Sequence, residues 1–112
     1  MSVDEATLRA LLDDMGGDAE VVKELVQSYL EEAPRLLAEA RVALAAGDAA
    51  ALQRAVHTLK STSATFGALQ LAEASRAVEQ GVRAGEMPAA AALAALETQF
   101  QAARAALLER LG

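Results

Sequence analysis

His57 is the only histidine in the sequence, and it stands in the stretch AVHTLKSTSATFG, residues 55–67. Lys60 and Ser61 follow three and four positions later, so both are neighbours of His57 on the surface of a helix. A histidine imidazole is largely neutral and nucleophilic near pH 7. Its attack on a phosphoryl group gives phosphohistidine, whose charge an ammonium group one turn away partly neutralises. His57 and Lys60 are therefore a candidate site for accepting a phosphoryl group.

Other chemistries fit the sequence less well. A zinc site needs two or three further ligands, but the chain has no second histidine and no cysteine. A Ser-His-acid triad needs a serine held against the imidazole, whereas Ser61 lies one turn along the same helix. An enzyme with His57 as general base is the weakest hypothesis, because no acidic or polar cluster and no pocket is predicted around the ring. On spacing alone, an exposed histidine without function remains an alternative.

Helical phase predicts that His57 faces solvent. The buried stripe of its helix is formed by residues at helical spacing, namely Leu52, Val56, Leu59, Ser63 and Phe66. At roughly 100° per residue, His57 lies about 140° from Leu52, Ser61 about 180° and Ala64 about 120°, with Lys60 at about 80°. Because Ser61 and Ala64 are small, the surface beside the imidazole is predicted to be open.

The composition predicts an all-α fold. The chain has 112 residues, of which 54% are hydrophobic and only 3% aromatic, so a core of leucine, valine and alanine is expected. Helices are predicted at about 3–14, 19–46, 49–66 and 69–84, and a last one has Pro88 in its first turn. We expect residues 1–112 to form a single domain, an antiparallel four-helix bundle with an additional short N-terminal helix packed as a lid.

Polar residues and glycines mark the predicted helix ends. Ser2 and Glu5 form a capping-box pattern for the first helix, and Asp18 and Asp48 are predicted to cap the second and third. Pro34 lies inside the second helix, where it either kinks the helix or separates two helices that meet at residues 32–34. The predicted inward residues of the second helix include Leu25, and those of the fourth are Leu71, Ala74, Val78 and Val82.

The charge distribution excludes some functions. A net charge of −6 argues against binding the phosphate backbone of a nucleic acid. Between Arg54 and Arg83 there are four basic and two acidic residues, which suits an anionic group or an acidic partner, with ordinary surface scatter as the alternative. No apolar run approaches the roughly 20 residues that span a bilayer, and the N-terminus lacks the basic region of a signal peptide. We therefore expect a cytoplasmic protein without membrane attachment.

Residues 55–79 resemble the motif of histidine phosphotransfer (HPt) domains. The matching positions share the spacing of that motif and comprise His57, Leu59, Lys60, Ser63, Gly67, Leu71 and Glu79. The sequence departs from the motif at Ser75, where cysteine is common, at Val78, where leucine is common, and at Ser61, where glycine often follows the lysine. The resemblance extends over nearly the whole chain.

The resemblance implies a phosphocarrier in a two-component phosphorelay. His57 would accept a phosphoryl group from a receiver-domain phosphoaspartate and pass it to another receiver aspartate, while Lys60 stabilises the phosphate. Gly67 would have a structural role at the end of the third helix, with a positive φ. Glu79 stands at a family position where a polar side chain orients the imidazole, a solvated helix residue being the alternative. The candidate docking surface comprises Arg54, Ser61, Ala64 and Glu79.

The implied partners are response-regulator receiver domains and a hybrid sensor histidine kinase. The receiver would carry the Mg²⁺, and this chain is expected to bind no cofactor and to lack autonomous kinase activity, since it contains no glycine-rich nucleotide motif. A binding-only adaptor with the same fold is the alternative. A monomer is expected, and the sequence leaves open whether the domain is free-standing or part of a larger kinase.

Overall fold

Five helices account for most of the chain. The computed structural model of the protein describes residues 2–111. The helices are α1 (Glu5–Asp14), α2 (Ala19–Ala46), α3 (Ala49–Thr65), α4 (Leu69–Arg83) and α5 (Ala90–Leu111). No strand occurs within residues 2–111, and the all-α prediction is confirmed.

The four long helices form a closed bundle in which each helix contacts two neighbours. α3 packs between α2 and α4, and α5 closes the bundle against the same two helices. The connections from α2 to α3 and from α3 to α4 are two and three residues long, which makes these neighbours antiparallel. α1 contacts α2 and α3. The predicted four-helix bundle with an additional short N-terminal helix is therefore confirmed.

Aspartates begin the first three helices. The Asp18 and Asp48 carboxylates accept hydrogen bonds from the first turns of α2 and α3, as predicted. The prediction that Ser2 caps α1 is wrong, because Asp4 is the capping residue and its carboxylate accepts from the Thr7 backbone N–H at 3.0 Å. The helix begins later than predicted because Asp4 is extended and its N–H donates to the Gly67 carbonyl at 2.7 Å.

The two prolines have different positions relative to the helices. α2 continues through Pro34, so the alternative of two separate helices is wrong. The buried residues Ala33 and Leu36 on either side of the proline pack into the core and hold the helix together there. Pro88 lies two residues before α5 rather than in its first turn. A proline biases the preceding residue, here Met87, away from helical backbone, and the chain between α4 and α5 is not helical at this point.

An aromatic cluster fixes the rotation of α3 within the bundle. The Tyr29 ring of α2 stacks on Phe66 at a centroid distance of 4.9 Å and meets Phe100 of α5 edge-on at 6.0 Å. The Tyr29 hydroxyl shares a buried hydrogen bond of 2.8 Å with the Ser63 hydroxyl of α3. Burial raises the pKa of Tyr29 to about 12, so the hydroxyl stays neutral. Since Ser63 faces the core, His57 lies on the outward side of the same helix.

The turn after α3 depends on Gly67. Its φ of +79° favours glycine, as predicted, and an added Cβ would lie 2.9 Å from the Asp4 carbonyl oxygen and 3.2 Å from its nitrogen. The N-terminal segment thus packs directly on the glycine, with Val3 buried beside it. Gly67 therefore ends α3 and also leaves the space in which the segment before α1 packs.

We expect Gly67→Ala to destabilise the bundle more than Gly47→Ala does. Gly47 also has a positive φ, +68°, but a Cβ there meets nothing within 4 Å. Backbone strain alone predicts a loss of about 1–2 kcal/mol at Gly47, and the added clash with Asp4 predicts about 3 kcal/mol or more at Gly67. Urea denaturation followed by circular dichroism measures both, and equal losses would contradict the role of the Asp4 contact.

Candidate functional site

His57 lies on the outward face of α3 with 51% of its side chain exposed. The predicted orientation is therefore confirmed. Its Nδ1 atom lies 2.7 Å from Oε2 of Glu79 on the neighbouring helix α4. An ionised carboxylate can only accept hydrogen bonds, so Nδ1 carries the proton and donates it. In the neutral ring, Nε2 is then the nitrogen with the free lone pair.

Glu79 is the centre of the site. It is 2% exposed, yet three cationic or potentially cationic side chains reach its carboxylate. Lys60 Nζ donates to Oε1 at 2.8 Å, while His57 Nδ1 and an Arg83 guanidinium nitrogen donate to Oε2 at 2.7 and 3.1 Å. Both oxygens of the buried carboxylate thereby accept hydrogen bonds from donors on α3 or α4.

The sequence of α4 turns Glu79 toward the bundle. Leu71, Ser75 and Glu79 recur every four residues, and all three are buried on the face that meets α3. The Ser75 hydroxyl is satisfied by the Leu71 carbonyl at 2.8 Å. Of the α4 residues predicted to face inward, Leu71 and Val82 are buried, whereas Ala74 and Val78 are half-buried at the edge of the stripe. The prediction that Leu25 of α2 faces inward is wrong, because its side chain is exposed. The polar residues Ser75 and Glu79 thus occupy buried positions of α4 that the spacing of its apolar residues does not predict.

Opposing effects set the protonation of Glu79. Burial by itself raises the pKa of a carboxyl group, but the hydrogen bonds from Lys60 and His57 and their charges outweigh it, so the pKa of Glu79 lies below its usual range. The group is consequently an anion at neutral pH. The anion is what makes Nδ1 of His57 a donor.

The structure brings some of the predicted residues together and separates others. Ser61, Ala64 and Arg54 are exposed on α3, consistent with an accessible surface there. The assignment of Glu79 to the docking surface is wrong, as is its alternative as a solvated helix residue, because the side chain is buried beneath His57 and Lys60.

The expectation that no polar cluster and no pocket surround His57 is also wrong. A cleft of about 290 Å³ adjoins the ring and is lined by Gln53, Arg54, His57, Thr58 and Arg83. Arg83 was not among the predicted site residues. The signal that identifies it is its spacing, because it lies four positions after Glu79 on α4 and a Glu–Arg pair at this spacing shares one helix face.

Two further properties bear on the class of protein. Within residues 2–111 no three histidine, cysteine or acidic side chains are grouped in a way that could hold a metal ion. Over the same residues, no helix combines the length and hydrophobicity needed to cross a membrane. The helical bundle presents a half-exposed histidine beside basic side chains, and a carboxylate holds one of its ring nitrogens. This arrangement agrees with the class of phosphohistidine carriers that the sequence predicts.

The comparisons agree with that class. The family model described as Hpt domain matches residues 24–109, and the chain therefore belongs to the Hpt domain family. These domains are phosphocarrier modules, and the chain is a histidine phosphotransfer protein of phosphorelays; a binding-only adaptor is not favoured. Members of the family work with receiver and kinase domains in two-component systems. No curated protein gives a significant match.

Two solved structures resemble the chain over almost its whole length. The histidine-containing phosphotransfer protein B (HptB) of Pseudomonas aeruginosa PAO1 is 27% identical, with a TM-score of 0.89 covering 98% of this chain and 94% of that one. The HPT domain of the Hpt sensor hybrid histidine kinase from Shewanella shares the fold, with 15% identity, a TM-score of 0.74, and coverage of 93% and 91%.

We expect Glu79→Gln to remove a pH-dependent part of the stability. A pKa lowered by folding stabilises the native state above the unfolded-state pKa, and this contribution is lost as the pH falls through the folded-state pKa. At pH 7 the free energy of unfolding of the variant should be about 1–3 kcal/mol lower than that of the wild type. This difference should shrink in acid. Urea denaturation at a series of pH values measures this.

The matched control is Glu73→Gln, which removes an exposed carboxylate of the same helix that pairs with Arg76. It should change the stability far less, since exposed pairs contribute little. A loss in Glu79→Gln that is independent of pH, or no larger than that of the control, would contradict the role of the buried anion.

Proposed function

We propose that His57 is the residue that carries the phosphoryl group, and that the group is bound to Nε2. The observation that supports this most directly is the contact between Nδ1 and Glu79, since it leaves Nε2 unprotonated on a half-exposed side chain. Helix α3 holds the ring at a fixed point on the outside of the bundle, where a second domain can reach it.

The imidazole is the only group of this chain whose bonds change in the transfer step. The Nε2 lone pair forms a bond to the phosphorus of a receiver phosphoaspartate, and the phosphorus–oxygen bond breaks with its electron pair remaining on the receiver carboxylate. The Nδ1 proton stays in place. The phosphorylated ring is then a cation, and the Glu79 anion 2.7 Å away stabilises its charge. The same step in reverse passes the group to the aspartate of another receiver.

The remaining residues of the site have supporting roles in this proposal. Lys60 supplies a positive charge one helical turn from His57, and its bond to Glu79 also fixes the carboxylate. The surface on which the receiver docks includes Arg54, Ser61 and Ala64. The side chain of Ser61 leaves the receiver less room beside His57 than a glycine would. The receiver, not this chain, brings the Mg²⁺.

The partners and setting follow from the same proposal. The partners are receiver domains of response regulators and a hybrid sensor histidine kinase, and the chain works as a cytoplasmic monomer that cannot phosphorylate itself from ATP. The proposed docking face around His57 is one continuous surface, so partners would bind to it one after another.

We expect the protein to take up phosphate from a phosphorylated receiver domain in the presence of Mg²⁺. The label should be labile in acid and stable in alkali, as a phosphorus–nitrogen bond is, and it should be absent in His57→Gln. Since the chain has no other histidine, loss of this label in His57→Gln assigns it to His57. Gel analysis of ³²P after acid and alkali treatment measures it. Absence of transfer from every member of a panel of receivers would contradict the proposed function.

We expect Lys60→Ala to shorten the lifetime of the phosphohistidine or slow its formation by roughly two- to tenfold, because one charge-assisted contact is lost. The control is Lys23→Ala, which removes a lysine from the exposed surface of α2. Thermal unfolding should show that both variants remain folded. An unchanged rate and lifetime in Lys60→Ala would exclude the lysine from the mechanism.

A further inference from the structure

The outer face of α5 differs from that of α2 in its charge. The side chains of α5 that face the core are Leu93, Leu96, Phe100, Ala103 and Leu107. The residues on the opposite side recur every three or four positions and are all exposed, namely Ala91, Ala95, Thr98, Ala102 and Ala105. Within residues 90–103 the one ionisable side chain is Glu97, which pairs with Arg41 of α2 at 2.6 Å. The exposed side of α2 carries charged side chains from Glu20 to Arg41. A solvated helix normally has a charged outer face, so the surface of α5 is that of a helix covered by another element.

Larger apolar groups extend this face at both ends. Met87, three residues before α5, is 39% exposed, and Leu108 in the last turn of α5 is 42% exposed. Beside the face, the groove between α2 and α5 forms a cavity of about 380 Å³, whose apolar lining is Leu44, Ala45, Ala90, Leu93 and Ala94. The outer face of α5 is therefore part of a continuous apolar surface and not only a row of small residues.

The spacing of these residues is symmetric about Thr98. Ala91 and Ala105 lie seven positions before and after it, and Met87 and Leu108 lie eleven positions before and ten after it. When two α5 helices cross antiparallel at Thr98, Ala91 of one copy therefore meets Ala105 of the other, and Met87 meets Leu108. The two alanines between these positions pair in the same way. Each contact occurs twice, as a two-fold axis requires, so the face is complementary to a second copy of itself.

We propose that two copies of the chain pair through the outer faces of α5, as an antiparallel helix pair with its two-fold axis at Thr98. The small side chains along the face let the two helix axes approach closely. α5 contacts α2 and α4, so it lies diagonally across the bundle from α3, and pairing leaves the face around His57 free on both copies. The transferring unit remains a single copy, and the inference does not rest on the proposed function.

Charge favours the antiparallel orientation over a parallel one. Glu109 follows the uncharged face on the same side of α5. In a parallel pair the two Glu109 side chains would meet and repel each other. In the antiparallel pair Glu109 lies beside the amino terminus of the other α5, which attracts a carboxylate. The first turn of that helix has no acidic side chain, and Glu86 lies four residues before it.

The size of the face predicts a weak dimer. Residues 91–105 extend about 21 Å along the helix axis. The contact of one helix pair over this length covers less than the roughly 1,200 Å² of total surface that stable complexes bury. We therefore expect a reversible equilibrium with a dissociation constant of roughly 10–100 μM. The chain is then a monomer when it is dilute and pairs when it is concentrated.

Sedimentation equilibrium measures the expected pairing. The mass should rise from the 11.6 kDa of one copy toward twice that value as the concentration increases from about 1 μM to about 1 mM. Ala95→Arg places a charge within the face and should keep the mass at that of one copy. The control Ala77→Arg makes the same change on the exposed surface of α4 and should pair like the wild type. Circular dichroism should show that both variants remain helical. A wild type with the mass of one copy at every concentration, or equal pairing in the two variants, would overturn the inference.

Disulfide cross-linking tests the register, since the sequence contains no cysteine. Under mild oxidation Thr98→Cys should form a disulfide between two copies, because the two-fold axis brings the sulfur atoms together, whereas Ala77→Cys should not. An equimolar mixture of Ala91→Cys and Ala105→Cys should cross-link faster than either variant alone. Non-reducing gel electrophoresis follows the reaction at about 200 μM, above the expected dissociation constant. Cross-linking of Thr98→Cys no faster than that of Ala77→Cys, or fastest cross-linking by Ala91→Cys alone, would overturn the antiparallel pair.

Discussion

A carboxylate buried between two helices stays ionised where cations and hydrogen-bond donors reach it. Glu79 is reached by the cations Lys60 and Arg83 and by Nδ1 of His57. The interaction acts in both directions. The cations keep Glu79 in its anionic form, and the anion in turn makes Nδ1 of His57 a donor and ties Lys60 and Arg83 to one point. His57 and the two cations beside it are therefore positioned by one buried residue.

The bundle supplies the frame that this interaction requires. Glu79 and His57 belong to adjacent helices, so their contact persists only while α3 and α4 keep their relative rotation. The hydrogen bond between Tyr29 of α2 and Ser63 of α3 fixes the rotation of α3 relative to α2. The packing of Asp4 on Gly67 fixes the turn that connects α3 to α4. Together these contacts leave α3 with one face in the core and the opposite face, with His57, in solvent.

The sequence predicted the features that depend on local pattern and missed those that depend on contacts distant in the chain. The helices and the outward position of His57 follow from periodicity and capping residues. The burial of Glu79 does not, because a glutamate on a helix is usually solvated and only its phase with Leu71 and Ser75 indicates otherwise. The capping of α1 by Asp4 was missed for a similar reason, since the position of Asp4 is set by a hydrogen bond to Gly67, more than sixty residues away.

The sharing of Glu79 by three donors also governs how the face of the carrier looks to an approaching domain. With a neutral ring, Lys60 and Arg83 exceed Glu79 by one positive charge. In the proposed cycle, loading adds a cationic ring and a phosphoryl dianion, and the excess disappears. The empty and the loaded carrier therefore differ in surface potential although the backbone need not move. A receiver with an acidic docking face would therefore be attracted more strongly to the empty carrier than to the loaded one.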